Sequence, residues 1–247
     1  MSEERRRAKE FAEELGRIYG EGLVTALLYG SAARGEFRAG SSDLNLLVVL
    51  KELGLPQLRQ AAKETRAWVA EGNPPPLLMS ESEWRESADV FPLEYSDIRD
   101  SYVVLAGRDL VAEMRIKRGD LRLQLEHELR SKKIQLREGI LVAAESPEEL
   151  GQLLVRSLST FLVLFRGVLR LDGEAPPSTA SDVIEAVAAR AGFSAEPLLE
   201  VSRVRSKGAP FTPSVDDPVV AGYLEAVERT VAWLDGAELP PDLEDET

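Results

Sequence analysis

Apolar residues are spaced in two different ways along this chain, and the change falls near residue 112. Over residues 3–19 they recur every three or four positions, which predicts an amphipathic helix. Short apolar runs bounded by Gly, Pro or Ser then predict strands at 23–30, at 43–50, after the prolines of "EGNPPP", at 90–98 and at 101–107, with helices after Ser31 and over 55–71. This alternation is typical of an α/β or α+β domain.

From residue 113 onward the apolar residues follow only the helical period. The segment 146–173 opens with a Ser-x-x-Glu capping box and is apolar nearly all round, as in the central helix of a bundle. Other helices are predicted over 119–145, 179–191, 195–206 and 216–235. We therefore expect a mixed sheet with flanking helices over 1–112, an all-α helical bundle over 113–238, and a disordered acidic tail over 239–247.

Composition narrows the class of protein. The 247 residues are 44% hydrophobic and 30% charged, as in an ordinary globular protein. The net charge of -13 argues against a broad nucleic-acid surface but leaves a small phosphorylated ligand open. The N-terminal residues lack an apolar signal core, and we see no apolar run of the ~18 residues that a membrane helix needs. We expect a cytoplasmic protein with no membrane partner.

The chain has no cysteine, and His127 is its one histidine. Disulfides, thiolate metal sites and cysteine nucleophiles are therefore excluded. A multi-histidine metal site or a Ser/His hydrolase would have to be built around that single ring. A bound metal would take oxygen ligands, which favours a hard cation such as Mg²⁺.

The segment "LLYGSAARGEFRAGSSDLNLLVVL", residues 27–50, joins a Gly-Ser turn to an Asp-x-Asn strand. Side chains alternate along a strand, so Asp43 and Asn45 are expected to face the same way, with Cα atoms roughly 6.6 Å apart. At that spacing two oxygen-bearing side chains can reach the same metal cluster.

The Gly-Ser turn carries the features of a phosphate-binding backbone. Gly30 lets the backbone approach a phosphate closely. The Ser31 hydroxyl and the amides at a helix start can donate to phosphate oxygens. Arg34, one turn further along, can add a charge-assisted contact.

Together these elements resemble the nucleotidyltransferase superfamily that includes DNA polymerase β, and within it the aminoglycoside and minimal nucleotidyltransferases. The resemblance covers about the first 110 residues by motif and the rest by architecture. It implies transfer of a nucleoside monophosphate from a nucleoside triphosphate to a hydroxyl acceptor, preferably a small molecule, with Mg²⁺. It also implies that Asp43 is catalytic and binds metal, and that a later strand supplies a third acid. Glu94 is the best match for that acid, as metal ligand or base, and Asp97 is the alternative.

Asn45 departs from the Asp-x-Asp pattern of that family. Its amide can offer a carbonyl oxygen to Mg²⁺, but it is neutral and cannot bridge two ions as a carboxylate does. Two ions roughly 3.5–4 Å apart repel each other, so the loss of one bridging charge weakens the second ion first. We expect one well-held Mg²⁺ among Asp43, Asn45 and Glu94. A structural role for the Asn45 amide is the alternative.

Three functions are compatible with this sequence. The first is an enzyme that transfers a nucleoside monophosphate to a hydroxyl acceptor. The second is a nucleotide-binding or regulatory protein whose active site is degenerate at Asn45. The third is an antitoxin-like interaction module that acts through the helical half. The acceptor, the preferred nucleotide and the oligomeric state, including a homo-oligomer, stay open.

Overall fold

The structure, a computed structural model, describes residues 3–34, 44–171, 173 and 175–237. The chain forms two compact units, Met1–Ile116 and Lys117–Thr247. The first contains a mixed sheet with flanking helices, and the second is helical in its described part. This architecture confirms the predicted fold class.

The sheet of the first unit has four strands in its described part, in the order β3-β2-β1-β4. Strand β1 is antiparallel to both of its neighbours, whereas β2 and β3 are parallel. The strands are β1, Leu23–Tyr29, β2, Asn45–Leu50, β3, Leu77–Ser80, and β4, Tyr102–Gly107. The strands predicted at 23–30 and 101–107 and after "EGNPPP" are therefore present. The strand predicted at 43–50 is present from Asn45 onward, and Asp43 lies outside the described residues.

Helices flank the sheet, and the first of them follows the predicted 3–19 pattern. They are α1, Glu3–Tyr19, α2, Ser31–Arg34, α3, Leu55–Gln60, α4, Ala62–Ala70, α5, Glu81–Glu86, and α6, Pro92–Asp100, with a 3₁₀ turn at Gly20–Gly22. The predicted helix over 55–71 is present as α3 and α4, which meet at Ala61.

The strand predicted over 90–98 is wrong, because most of this segment forms α6. Pro92 occupies the first turn of the helix, where its fixed φ is favourable and its missing N–H leaves no hydrogen bond unmade. The buried side chains of Tyr95 and Ile98 are three residues apart, which is the helical spacing. A proline inside the apolar run was the signal against a central strand.

Both faces of the sheet are buried. Leu28 and Val48 belong to a cluster that also contains side chains of α1 and α4. Leu27, Leu47 and Val49 belong to the opposite cluster, which contains side chains of α5 and α6. Because β1 and β2 are covered on both sides, they appear in the sequence as continuous apolar runs rather than as alternating ones.

The second unit contains five helices in its described part, close to the ranges predicted. They are α7, Arg118–Ala143, α8, Pro147–Leu171, α9, Ala180–Ala191, α10, Glu196–Lys207, and α11, Pro218–Gly236. Helix α8 begins after Ser146, whose hydroxyl accepts a hydrogen bond from the Glu149 amide at 3.4 Å. This contact is one half of the predicted capping box.

Helix α8 is long and apolar enough to cross a membrane by length and composition alone, contrary to the prediction that no such run exists. Half of its apolar window is buried inside the protein. Among the side chains that bury it is Tyr223 of α11, which meets the Phe161 ring edge-on at 6.0 Å. These contacts are those of a core helix.

Tyr95 links α6 to α5 and offers a test of this packing. Its hydroxyl donates to the Trp84 carbonyl at 2.9 Å, and the two rings stack with centroids 4.4 Å apart. Burial raises the pKa of Tyr95 to about 12. The folded state therefore favours the protonated phenol, a preference that stabilises the fold fully below pH ~10 and is lost as the pH rises toward ~12.

We predict that Tyr95→Phe lowers the free energy of unfolding by about 1–3 kcal/mol at neutral pH, because it leaves the Trp84 carbonyl without this partner. The difference from the wild type should shrink between pH ~10 and ~12. Urea unfolding at several pH values measures both effects. Tyr102→Phe is the control, since its hydroxyl donates to the exposed Asp109 and the loss of this surface bond should cost less than ~1 kcal/mol. Equal stability of Tyr95→Phe and the wild type would contradict this account.

Candidate functional site

The candidate site lies where β1 and β2 end. Tyr29, the last residue of β1, pairs with Asn45, the first residue of β2, and on its other side with Tyr102 of β4. Gly30 follows with φ +78°, and its N–H donates to the Ser101 carbonyl at 3.1 Å. A left-handed φ favours glycine, so the residue type at this turn is set by backbone geometry.

Asn45 borders this glycine turn. A Cβ atom built on Gly30 would lie 3.4 Å from Nδ2 of Asn45. Asn45 is half-buried, whereas Leu44 before it is buried in the core. Alternation along β2 puts Asn45 on the same sheet face as Leu47 and Val49, the face that α5 and α6 cover.

Two carboxylates of α6 approach this face. Burial raises the pKa of the Tyr29 hydroxyl, and the negative charges of Asp97 and then Glu94 raise it further. Glu94 and Asp97 are three residues apart on a helix, so they share one side of α6. The negative charges of both acids therefore affect the hydroxyl of Tyr29, the residue that pairs with Asn45.

Helix α6 is held in place at both ends. Tyr95 anchors it to Trp84 through the stacked rings and the hydroxyl bond. At the other end the chain passes through Ser101 into β4, and Ser101 accepts the hydrogen bond from Gly30. The acids therefore reach the site from a helix, not from the predicted strand.

Helix α2 continues directly from the glycine turn. Ala32 and Ala33 are buried, and the Ala33 amide donates to the Gly30 carbonyl at 3.1 Å. From α1, Nη2 of Arg5 donates to the Ala33 carbonyl at 2.5 Å. The backbones of Ser31 and Arg34 lie in α2, as predicted.

The site residues proposed from the sequence are thus placed as follows. Gly30 and Asn45 are neighbours, and Glu94 and Asp97 lie near Tyr29. Asp43 falls outside the described residues, as do the acidic tail and the end of "SAARGEF".

Sequence reasoning missed two residues at this place, Tyr29 and Arg5. Tyr29 was signalled by its position, directly before the Gly-Ser pair at the end of a buried strand. Arg5 had no signal, because it stands in a run of three arginines on a helix 28 residues away from its partner.

Oxygen atoms supply the potential metal ligands here. They belong to the Asn45 amide and to the Glu94 and Asp97 carboxylates, and such donors fit a hard cation such as Mg²⁺. Within the described ranges, no three His, Cys, Asp or Glu side chains form a metal-binding group. Asp43, the carboxylate predicted to complete the set, is not among the described residues.

The helical unit has an open cavity of about 470 Å³ between α8 and the segment Ala209–Thr212. Glu148, Gln152 and Arg156 line it, together with apolar atoms of the segment. The described residues that line this cavity all belong to the helical unit, so the cavity is distinct from the site described here.

No family model matches the sequence, and no curated protein matches it. A solved structure does: spectinomycin adenyltransferase AAD(9) from Enterococcus faecialis, crystallised with ATP and spectinomycin. The two are 12% identical with a TM-score of 0.57, over 91% of this chain and 98% of that one. The fold is nucleotidyltransferase-like. At this identity the similarity is one of fold and assigns no role to individual residues.

We predict that Gly30→Ala destabilises the protein by about 1–2 kcal/mol, because a left-handed backbone is strained for an L-residue with a Cβ. Among the described residues, the new methyl group would make ordinary contact with Asn45. Thermal or urea unfolding measures the change.

Two glycines of the same unit serve as controls. Gly72 has φ +88° and open space around it, so Gly72→Ala should show the backbone cost alone. Gly22 also has open space, and its φ lies outside the left-handed range, so Gly22→Ala should be close to neutral. A neutral Gly30→Ala beside a costly Gly72→Ala would contradict the strain assigned to the turn.

Proposed function

We propose that this protein transfers a nucleoside monophosphate from a nucleoside triphosphate to a hydroxyl group of a small molecule. The observation that carries the proposal is the position of Asn45 beside the Gly30 turn at one end of a nucleotidyltransferase-like sheet, with the α6 carboxylates near Tyr29, the strand partner of Asn45. The solved structure of similar fold holds ATP and spectinomycin, which supports a triphosphate and a small hydroxylated acceptor as the two ligands. A cytoplasmic location, where triphosphates are available, belongs to the same proposal.

In this proposal the turn after β1 binds the triphosphate. Gly30 has no side chain to keep a phosphate oxygen away from the backbone. Ser31 and Arg34 would donate to phosphate oxygens through the hydroxyl and the guanidinium group. The hydrogen bond from Gly30 to Ser101 fixes the orientation of this turn relative to β4.

Glu94 is the proposed general base, with Asp97 as the alternative. The acceptor oxygen attacks the α-phosphorus, the bond to pyrophosphate breaks, and the carboxylate takes the acceptor proton. The raised pKa of Tyr29 keeps its phenol protonated at neutral pH. The hydroxyl can therefore donate to one of these carboxylates and orient it.

Magnesium fits the oxygen donors of this site. Asp43 would hold it together with the Asn45 amide and Glu94 or Asp97, and the ion would neutralise the charge of the triphosphate. Because Asn45 is neutral, the side chains favour one ion over two. With one ion instead of two, the positive charge of Arg34 would contribute more to binding the phosphates.

The neutral side chain of Asn45 supports a second candidate function. If one ion is insufficient for transfer, the protein binds nucleotide without turning it over and acts as a regulatory or sensing protein. Nucleotide binding is common to both functions, so only a measurement of transfer separates them.

The first test incubates the protein with ATP or GTP labelled at the α-phosphate, Mg²⁺ and a panel of hydroxylated acceptors. We expect label on an acceptor, and a loss of about 100-fold or more in kcat for Glu94→Gln if Glu94 is the base. Asp97→Asn should then lose less, and the reverse order would assign the base to Asp97. Nucleotide binding with no transfer to any acceptor, or to the protein itself, would contradict the enzymatic function.

The second test restores the missing charge. We predict that Asn45→Asp raises or creates transfer by about 10-fold or more, equivalent to at least ~1.4 kcal/mol in the transition state. Mg²⁺ should also raise the Tm of Asn45→Asp more than that of the wild type, because the added carboxylate binds the ion.

Asn45→Ala is the matched control, since it removes the amide without adding a charge. It should lower transfer if the amide oxygen binds the ion. A fall in activity for Asn45→Asp would show that asparagine is the working residue here, and the degenerate-site hypothesis would be wrong.

A further inference from the structure

The first two turns of helix α1 contain three consecutive arginines that have different partners. Arg6 pairs with Glu10 of its own helix at 2.7 Å, on an exposed surface. Arg7 pairs with Glu71 at the end of α4 at 2.6 Å. The side chain of Arg5 instead extends to the candidate site, where it donates a hydrogen bond to the Ala33 carbonyl of α2.

Helix α2 is too short to be stable by itself. Its four residues, Ser31–Arg34, form barely one turn, and a single turn is unfavourable without tertiary contacts. The burial of Ala32 and Ala33 provides one such contact, and the Arg5 guanidinium provides another.

The position of the Arg5 contact matters as well as its strength. Carbonyl groups in the last turn of a helix have no partner within the helix, and cations are favourable there. Gly30 is tied to Ser101 at the start of the turn, and Ala33 is tied to Arg5 near its end. The backbone between these two points carries the groups proposed to meet the phosphates.

We propose that Arg5 is a positioning residue that holds the turn from Gly30 to Arg34 in the conformation that binds the triphosphate. This inference rests on the proposed function. With Arg5 in place the turn is ordered before the nucleotide arrives, so binding does not bear the full entropic cost of ordering it. Arg5 acts through α2 and does not itself contact the nucleotide.

The test compares Arg5→Met, which keeps most of the aliphatic stem but removes every donor, with Arg6→Met on the same helix. Calorimetry gives the Kd for Mg·ATP and for adenosine, and hydrogen–deuterium exchange follows the amides of residues 30–34. We expect Arg5→Met to weaken ATP binding by about 10-fold, the value of one charge-assisted hydrogen bond, and to change adenosine binding much less. Exchange at residues 30–34 should become faster.

Arg6→Met should leave both affinities and the exchange pattern unchanged, because its ion pair lies on the surface of α1. Arg5→Lys should recover part of the ATP affinity, since its ammonium group can make one hydrogen bond but lacks the planar fork. Recovery by Lys alongside slower exchange at 30–34 supports positioning of the turn.

Three outcomes would overturn the inference. One is unchanged ATP affinity and exchange in Arg5→Met while the wild type binds ATP. Another is an equal loss of ATP and adenosine affinity with a lower Tm, which would make Arg5 a residue of general stability only. In the third outcome the wild type binds no nucleotide, which contradicts the proposed function as well as this inference. Exchange at residues 30–34 then still shows whether Arg5 orders the turn.

Discussion

The pairing of β1 with β2 is the constraint on which the rest of this site depends. The register that opposes Tyr29 to Asn45 brings the amide beside the glycine turn. The register is enforced by burial, because Leu27 and Leu47 face one core and Leu28 and Val48 face the other. A slip of one residue would exchange these faces and move Asn45 away from α6.

The strands that form this site were predictable from the sequence. For the third acid, the candidate residues Glu94 and Asp97 were predictable, but the helix that carries them was not. The run 43–50 is largely apolar on both faces and has β-branched Val48 and Val49 near its end, which is typical of a buried strand. The run at 90–98 has a similar composition, but Pro92 and the three-residue spacing of Tyr95 and Ile98 make it a helix. Composition could not decide between the two, whereas the proline could have.

Contacts between segments distant in the sequence were beyond prediction. Arg5 lies 28 residues before its partner, and nothing in "ERRRAKEF" distinguishes it from Arg6 or Arg7. The selection is made by the direction in which each side chain leaves α1, which depends on how Phe11 and Leu15 bury that helix against the sheet. Packing therefore decides which arginine reaches the turn.

The neutral amide of Asn45 also changes the electrostatic balance of the site. Glu94 and Asp97 already raise the pKa of Tyr29 by their negative charge. An aspartate at position 45 would add another negative charge to this face, in a protein with a net charge of -13. Asparagine reduces the repulsion among negative charges at this site, and it also makes the site less attractive to cations. The residue at position 45 thus sets both the repulsion among negative charges at this site and its attraction for cations.

The half-buried position of Asn45 at the start of β2 has a genetic consequence. Asparagine codons, AAU and AAC, become aspartate codons by a change of their first base alone. The two side chains have nearly the same shape, and Asn45 is only half-buried, so the exchange requires no repacking of the core. A single point mutation therefore separates this gene from one that encodes aspartate at both 43 and 45. Selection can exchange the two residues at position 45 without loss of the fold.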